Sequence, residues 1–247
     1  MSDLTIILPL IFLAALLFSS VGHGGASAYL ATFALIGLAP DSMRPAALCL
    51  NVLVASIALY KFYKAHAFDW QLLWPLALTS IPAAFLGGQV SLPNNAYKAV
   101  VGACLLYAAW TIFSHANYAD NVTIKPVEKP VLLPLGAGLG FLAGLTGVGG
   151  GIFLSPILLH FNWAKTKVIS GVAAAFILVN SISGLLGFLR KTPILPTGLG
   201  YWALAAIAGG WIGAEYGSKK LANPTIRKLL AAVLLFAGSK MLWASFN

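Results

Sequence analysis

Charged side chains are scarce in this sequence. They make up 9% of the residues, and only six of the 247 are aspartate or glutamate. Soluble globular domains carry about 25% charged residues, so an ordinary soluble fold is excluded. The few acids also leave no clear buried pair of carboxylates, which favours uniport or export over transport coupled to protons.

Cysteine and enzyme motifs are equally sparse. Cys49 and Cys104 both lie in apolar segments, where cysteine acts as a small hydrophobe, so we expect neither a disulfide nor a metal site. The HExxH and GxSxG motifs are absent, and the GVGGG run lacks the GK[ST] ending of a phosphate loop. We therefore expect no catalytic residue, metal or cofactor, and an intramembrane enzyme is the least favoured function.

Hydrophobic residues, by contrast, are in large excess. They form 60% of the chain, and the mean hydropathy is +0.89. Apolar runs recur from end to end, many of them long enough to cross a hydrocarbon core of about 30 Å. The sequence predicts an all-α polytopic membrane protein with apolar segments near residues 4–21, 26–39, 44–63, 70–90, 95–114, 131–146, 151–163, 168–189, 197–217 and 225–246.

The net charge of +9 invites a nucleic-acid interpretation, but the basic residues occur in short clusters at the ends of apolar runs. That placement is typical of anchoring at a lipid bilayer, so we expect no nucleic-acid partner. If the N-terminus is outside and each segment reverses the side, the inside loops hold ten Lys and Arg against four outside. The positive-inside rule then predicts that both termini are outside.

A polar stretch divides the chain into two similar halves. We predict a first transmembrane repeat over 1–114, a polar cytoplasmic linker over 115–130 and a second repeat over 131–247. The glycine motif at 22–25 matches the one at 147–150, and Asn51 matches Asn180 in the third segment of each half. Five segments per half would place the second half upside down, so the repeats are predicted to be inverted.

The second segment of each half, at 26–39 and 151–163, is too short for a normal span. We expect half-helices there, and each first pair of segments would then form a broken or re-entrant hairpin. The charge pattern is the same for ten crossings and for six crossings plus two hairpins, so both topologies stay open.

Runs of glycine immediately before these short segments should interrupt the helix. A new helix that opens after such a break has free N–H groups and about half a positive charge at its N-terminus. Two such ends facing each other at the midplane would bind a small anion. The candidate substrate-binding residues are Ser20, Gly22, His23, Gly24, Gly25, Ala26, Ser27, Asn51, Thr146, Gly147, Gly149, Gly150, Gly151 and Asn180.

Several polar residues allow a structural role beside the functional one. His23 either donates to the anion or carries protons, or else bonds a backbone carbonyl at the break. Asn51 and Asn180 bond the ligand, the unwound backbone or a neighbouring helix. Glu215 is an intramembrane acid, but Lys219 one turn onward favours an ion pair at the inner surface. Arg44 is expected to be a surface anchor that also attracts anions at the outer mouth.

Residues 147–158, GVGGGIFLSPIL, and 22–26, GHGGA, resemble the paired glycine motifs of the TauE/SafE family, also called the toluene-sulfonate uptake permease family. Ala26 replaces the third glycine in the first motif, and Ala31 stands where a proline is expected. The resemblance implies a bacterial inner (plasma) membrane transporter for sulfite or an organosulfonate such as sulfoacetate.

The sequence thus predicts a secondary transporter, an exporter of a small sulfur-containing anion, that alternates access about a midplane site. An anion channel and a proton-coupled importer of sulfonates or carboxylates are the alternatives. The expected partners are the small anion and the bilayer, and the sequence leaves a homo-oligomer open.

Overall fold

The computed structural model describes residues 2–114, 123–192, 195–220 and 224–246. These residues form ten α-helices, as predicted, and contain no β-strand. The first half of the predicted linker, residues 115–122, lies outside the described residues. The helices are α1 (Ser2–Ser19), α2 (Ala26–Leu35), α3 (Pro40–Lys64), α4 (Trp70–Gln89), α5 (Asn94–Ser114), α6 (Lys129–Thr146), α7 (Gly151–His160), α8 (Thr166–Leu189), α9 (Leu199–Lys219) and α10 (Pro224–Phe246).

Four helices in the described part of the chain are both long and apolar enough to cross a membrane: α3 from Asp41, α4, α6 and α8. Helices α2 and α7 are different, because each has only 10 residues. At 1.5 Å per residue each is about 15 Å long, which is half the thickness of the hydrocarbon core. The expectation of two half-helices is therefore confirmed in length.

Helix packing depends on small residues that let backbones approach closely. Gly136, Gly140 and Gly144 of α6 lie against the backbone of α4, where an added Cβ would collide with the carbonyl oxygens of Leu76, Ser80 and Ala84. Gly209 and Gly213 of α9 lie in the same way against the backbone of α1, and Gly217 lies against Ser20 just after α1. Small residues at these contacts are typical of close helix packing in membranes.

The pairing of the helices has a regular pattern. Helix α4 packs on α6 and α8, while α9 packs on α1 and α3. Exchanging the two halves of five helices converts the first set of contacts into the second, and it leaves the α3–α8 and α5–α10 contacts unchanged. The contacts are those that two related halves would make. Helix α8 lies at the centre, with a mostly buried surface that faces both glycine breaks.

Candidate functional site at the two helix breaks

Both glycine motifs interrupt the helix, as the sequence predicted. Helix α1 ends at Ser19 and α2 begins at Ala26, whereas α6 ends at Thr146 and α7 begins at Gly151. The glycines before each new helix have positive φ, with values of +96° at Gly25 and +78° at Gly150. An L-residue with a side chain rarely adopts that conformation, which explains why glycine is placed there.

The two breaks meet on the same two side chains. A Cβ added at Gly24 would lie 2.9 Å from Cγ of Asn51 and 3.2 Å from Cγ2 of Ile177. A Cβ added at Gly149 would lie 2.5 Å from Nδ2 of Asn51 and 3.0 Å from the same Ile177 methyl. The structure therefore brings the predicted residues of both halves together around one point on α3 and α8.

Asn51 is fully buried and bonds to both breaks. Its Oδ1 accepts from the backbone N–H of Ala26 at 3.0 Å. Its Nδ2 donates to the carbonyl of Val148 and to Oγ of Ser181, both at 3.3 Å. Of the roles that the sequence left open, two are observed: contact with the unwound backbone and a hydrogen bond to a neighbouring helix, α8. Ser181 lies on the side of α8 that faces the second break, since an added Cβ on Gly149 would lie 3.2 Å from its Oγ.

His23 connects the first break to the second half-helix. Its Nε2 lies 3.2 Å from the carbonyl oxygen of Gly151 and 3.1 Å from Oγ of Ser155. The carbonyl can only accept, so the contact with Gly151 is a hydrogen bond in the tautomer that carries the proton on Nε2. The alternative of a bond to a backbone carbonyl is therefore observed. The sequence reasoning missed Ser155, which only the folded chain brings to the histidine.

The hydroxyl groups at the breaks bond mainly to their own helix. Ser20 donates to the carbonyl of Leu17 at 2.6 Å, and Thr146 donates to that of Leu142 at 2.7 Å. The Thr146 hydroxyl oxygen also accepts from the N–H of Val148 at 3.2 Å, which stabilises the second break. Ser27 is buried in the first turn of α2. A contact of these groups with substrate stays a prediction.

Asn180 differs from Asn51 in its bonding. Its Nδ2 donates to the carbonyl of Phe176, one turn back in the same helix, at 2.8 Å. Its Oδ1 is buried and has no hydrogen-bond donor among the described residues. Asn180 lies three residues beyond Ile177 and therefore on the face of α8 that packs against the second break.

Arg44 is not the surface anchor that the sequence predicted, because only 4% of its surface is exposed. Its guanidinium donates to the carbonyls of Gly87 at 2.7 Å, Val90 at 2.9 Å and Gly144 at 2.5 Å. These carbonyls lie at the C-terminal ends of α4 and α6. Satisfying such groups requires a donor inside the membrane, and the fold brings Arg44 to them. No ion pair involves Arg44 in the described residues.

Tyr97 is a further residue that the sequence reasoning missed. Its hydroxyl donates to the carbonyl of Thr146 at 2.9 Å, immediately before the second break. Tyr97 is buried, and it comes from the beginning of α5. Its position next to the break depends on tertiary packing, so no local signal in the sequence indicates it.

Glu215 forms the ion pair with Lys219 that the sequence favoured. The structure adds a second partner, because Lys61 from the end of α3 contacts the other carboxylate oxygen. The Lys61 ammonium also lies 3.9 Å from the ring centroid of Trp211. The three charged groups connect α3 to α9, and they are distant in sequence from the glycine breaks.

The two breaks are tightly packed in this conformation. An added Cβ at Gly24 or at Gly149 would lie within 3.2 Å of the Ile177 side chain. A ligand between the breaks therefore requires neighbouring side chains or helices to move.

Comparison with known proteins identifies the class of this chain. The family profile described as sulfite exporter TauE/SafE matches residues 7–241. A probable membrane transporter protein of Sinorhizobium fredii, y4hK, is 37% identical over 235 residues, which cover 94% of this chain and 95% of its own. YjnA of Bacillus subtilis, also a probable membrane transporter protein, is 24% identical over 263 residues, which cover 97% of this chain and 100% of its own.

A more distant relative is the probable membrane transporter protein MJ0441 of Methanocaldococcus jannaschii, 23% identical over 196 residues that cover 75% of this chain and 73% of its own. No solved structure is significantly similar. The profile match extends over both halves and both breaks, and the relatives are named as membrane transporters. The protein is a multi-pass membrane transporter, and the chain belongs to the sulfite exporter TauE/SafE family.

Proposed function

We propose that this transporter exports a small sulfur-containing anion, such as sulfite or an organosulfonate, through a site between the N-termini of α2 and α7. The observation that carries the proposal is the meeting of both breaks on Asn51 and Ile177. Two helix N-termini from opposite halves then direct their partial positive charges at one buried region. In a site without bulk water such dipoles act more strongly on an anion than they do at a protein surface.

The hydrogen bonds around the second break support the same site. In the described residues no acceptor bonds the backbone N–H of Gly151 or Ile152, which open α7. These are the N–H groups that a bound oxyanion uses at a helix N-terminus. Arg44 adds a buried positive charge nearby, since an added Cβ on Gly147 would lie 3.1 Å from its Cγ. The guanidinium of Arg44 already donates to backbone carbonyls. We therefore propose that Arg44 attracts the anion through its charge and does not contact it.

The tight packing of both breaks on Asn51 and Ile177 favours a carrier over an open channel. A channel needs a continuous path, whereas a carrier passes through a state in which its site is sealed from both sides. We propose that the halves are inverted repeats, that both termini face the periplasm, and that movement of one half against the other alternates access in the inner membrane. Export of an anion from a cell that is negative inside gains about 2.3 kcal/mol per charge per 100 mV, so no coupled ion is needed.

The test is flux in proteoliposomes with an imposed membrane potential. We expect saturable, potential-driven movement of sulfite or a sulfonate and counterflow of labelled substrate. Gly149→Leu should reduce the flux by at least tenfold, since the side chain would fill the region between Asn51 and Ile177. The matched control is Gly138→Leu on α6, where an added Cβ meets nothing within 4 Å.

Three results would contradict the proposal. Equal flux in the Gly149→Leu and Gly138→Leu proteins would place the substrate path elsewhere. Ohmic conductance without saturation or counterflow would support a channel. Uptake that requires an inward proton gradient would instead support the alternative of a proton-coupled importer.

A further inference from the structure

The two half-helices differ in how their N-termini are satisfied. The first N–H of α2, on Ala26, donates to the side-chain oxygen of Asn51 at 3.0 Å. At the start of α7, the N–H groups of Gly151 and Ile152 have no hydrogen-bond acceptor in the part of the chain that the structure describes. The equivalent asparagine, Asn180, bonds its own helix instead. One N-terminus therefore already holds an oxygen ligand, and the other does not.

The amide of Asn51 also ties the halves together. While Oδ1 occupies the N-terminus of α2, Nδ2 donates to the carbonyl of Val148 in the second break and to the Ser181 hydroxyl. The side chain is completely buried, so it has no competing water. Breaking this set of bonds without a replacement would leave a buried donor and a buried acceptor unpaired, which is costly.

We propose that the Asn51 carbonyl oxygen is an internal stand-in for the transported anion. This inference rests on the proposed function, because it concerns the same site. The anion first binds the open N–H groups of α7 and then displaces Asn51 from Ala26. An oxyanion accepts the freed N–H more strongly than a neutral amide does, since charge-assisted hydrogen bonds are about twice as strong as neutral ones.

Displacement has a mechanical consequence. When Oδ1 leaves Ala26, the amide turns and its bonds to Val148 and Ser181 weaken as well, so the link between the two breaks is weaker when substrate is bound. The loaded protein can therefore move its halves more readily than the empty protein. Asn51 is in this sense a positioning residue that couples occupancy to opening.

The experiment measures the dissociation constant for sulfite and for methanesulfonate on the purified full-length protein, together with KM and kcat in proteoliposomes. Asn51→Ala removes the internal competitor, so we expect the dissociation constant to fall by about tenfold, which corresponds to about 1.4 kcal/mol. Asn51→Asp keeps the shape of the side chain but places a negative charge beside the N–H of Ala26, so the dissociation constant should rise by at least about tenfold.

The matched control is Ser56→Ala on the same helix. The Ser56 hydroxyl is exposed and bonds only the carbonyl of Val52 at 2.6 Å, so its loss should leave binding and transport unchanged. In transport, the Asn51→Ala protein should show a lower KM and also a lower kcat, because the anion is bound more tightly and is released more slowly. If Asn51 had only a structural role, its replacement would lower the amount of folded protein without making binding tighter and turnover slower.

Each outcome decides the inference. The stand-in role would be overturned if Asn51→Ala bound the anion more weakly or if Asn51→Asp bound it as the wild type does. Asn51 would then either donate directly to the anion or only pack helices together. If Asn51→Ala does not fold, Asn51→Leu decides in its place, because it keeps most of the volume and also lacks the internal oxygen; its dissociation constant should fall in the same way. If the wild-type protein binds neither anion, the proposed function fails; if it binds them and only the Asn51 variants disagree, the inference alone fails.

Discussion

At the scale of single residues, the fold places polar side chains where helices are interrupted or end. Asn51 and Arg44 bond backbone groups at helix ends that a continuous helix would have satisfied by itself, and His23 contacts the first carbonyl of α7. In a bilayer such groups have no water to turn to, so each must find a partner within the protein. The broken helices and the buried polar residues are therefore two parts of one requirement.

Arg44 offers the clearest test of this requirement. Replacing it by methionine keeps much of the volume but leaves the carbonyls of Gly87, Val90 and Gly144 without their donor. We expect a loss of about 3 kcal/mol or more in stability, since several charge-assisted bonds disappear at a buried site. Thermal unfolding in detergent measures the loss. Arg44→Lys should be intermediate, because an ammonium keeps the charge but lacks the planar set of donors.

Arg190→Met is the control for that measurement. Arg190 is exposed just beyond the end of α8 and is not among the residues that bond the helix ends described above. Its replacement should change the melting temperature by far less. Equal melting temperatures of the Arg44→Met and wild-type proteins would show that the carbonyls find other donors, and would remove Arg44 as a structural centre.

At the scale of elements, the sequence contains most of what is needed. Segment number, the two glycine breaks and the short half-helices follow from apolar run lengths and glycine runs, which are local properties. The role of Arg44 does not, since an arginine near the start of an apolar run has the pattern of an interfacial anchor. Its burial follows from the ends of α4 and α6 lying beside it, and such long-range contacts have no local signal. Ser155 and Tyr97 were missed for the same reason.

The pairing of α4 with α6 depends on glycine at Gly140. An added Cβ there would lie 2.5 Å from Cα and 2.7 Å from Cβ of Ser80. We expect Gly140→Leu to separate the two helices and to cost about 1–3 kcal/mol, the usual range for overpacking. Thermal unfolding and size-exclusion profiles in detergent measure the effect. Gly138→Leu, two residues away on the open side of α6, should behave as wild type, and equal behaviour of both variants would contradict close packing as the role of this glycine.

At the scale of the whole molecule, the exchange symmetry of the helix contacts is what two repeats of one unit would produce. The asymmetry within that frame is equally informative. Only the first break carries a histidine, and only Asn51 of the two equivalent asparagines crosses to the other half. The two half-helices therefore differ at their N-termini, because the N–H of Ala26 donates to the Asn51 side chain, whereas no acceptor bonds the N–H groups of Gly151 and Ile152 in the described residues.

The inverted arrangement of the halves can be tested from outside the cell. Lys64 at the end of α3 and Lys191 just after α8 are exposed and occupy equivalent places in the two halves. Inverted repeats put equivalent loops on opposite sides, and the excess of basic residues in the inside loops assigns Lys64 to the cytoplasm and Lys191 to the periplasm. In a background with Cys49→Ala and Cys104→Ala, we expect a membrane-impermeant thiol reagent to label Lys191→Cys in intact cells and Lys64→Cys only after permeabilisation. Labelling of both from the same side would mean parallel repeats, and the two half-helices would then enter from one face and could not meet end to end at the midplane.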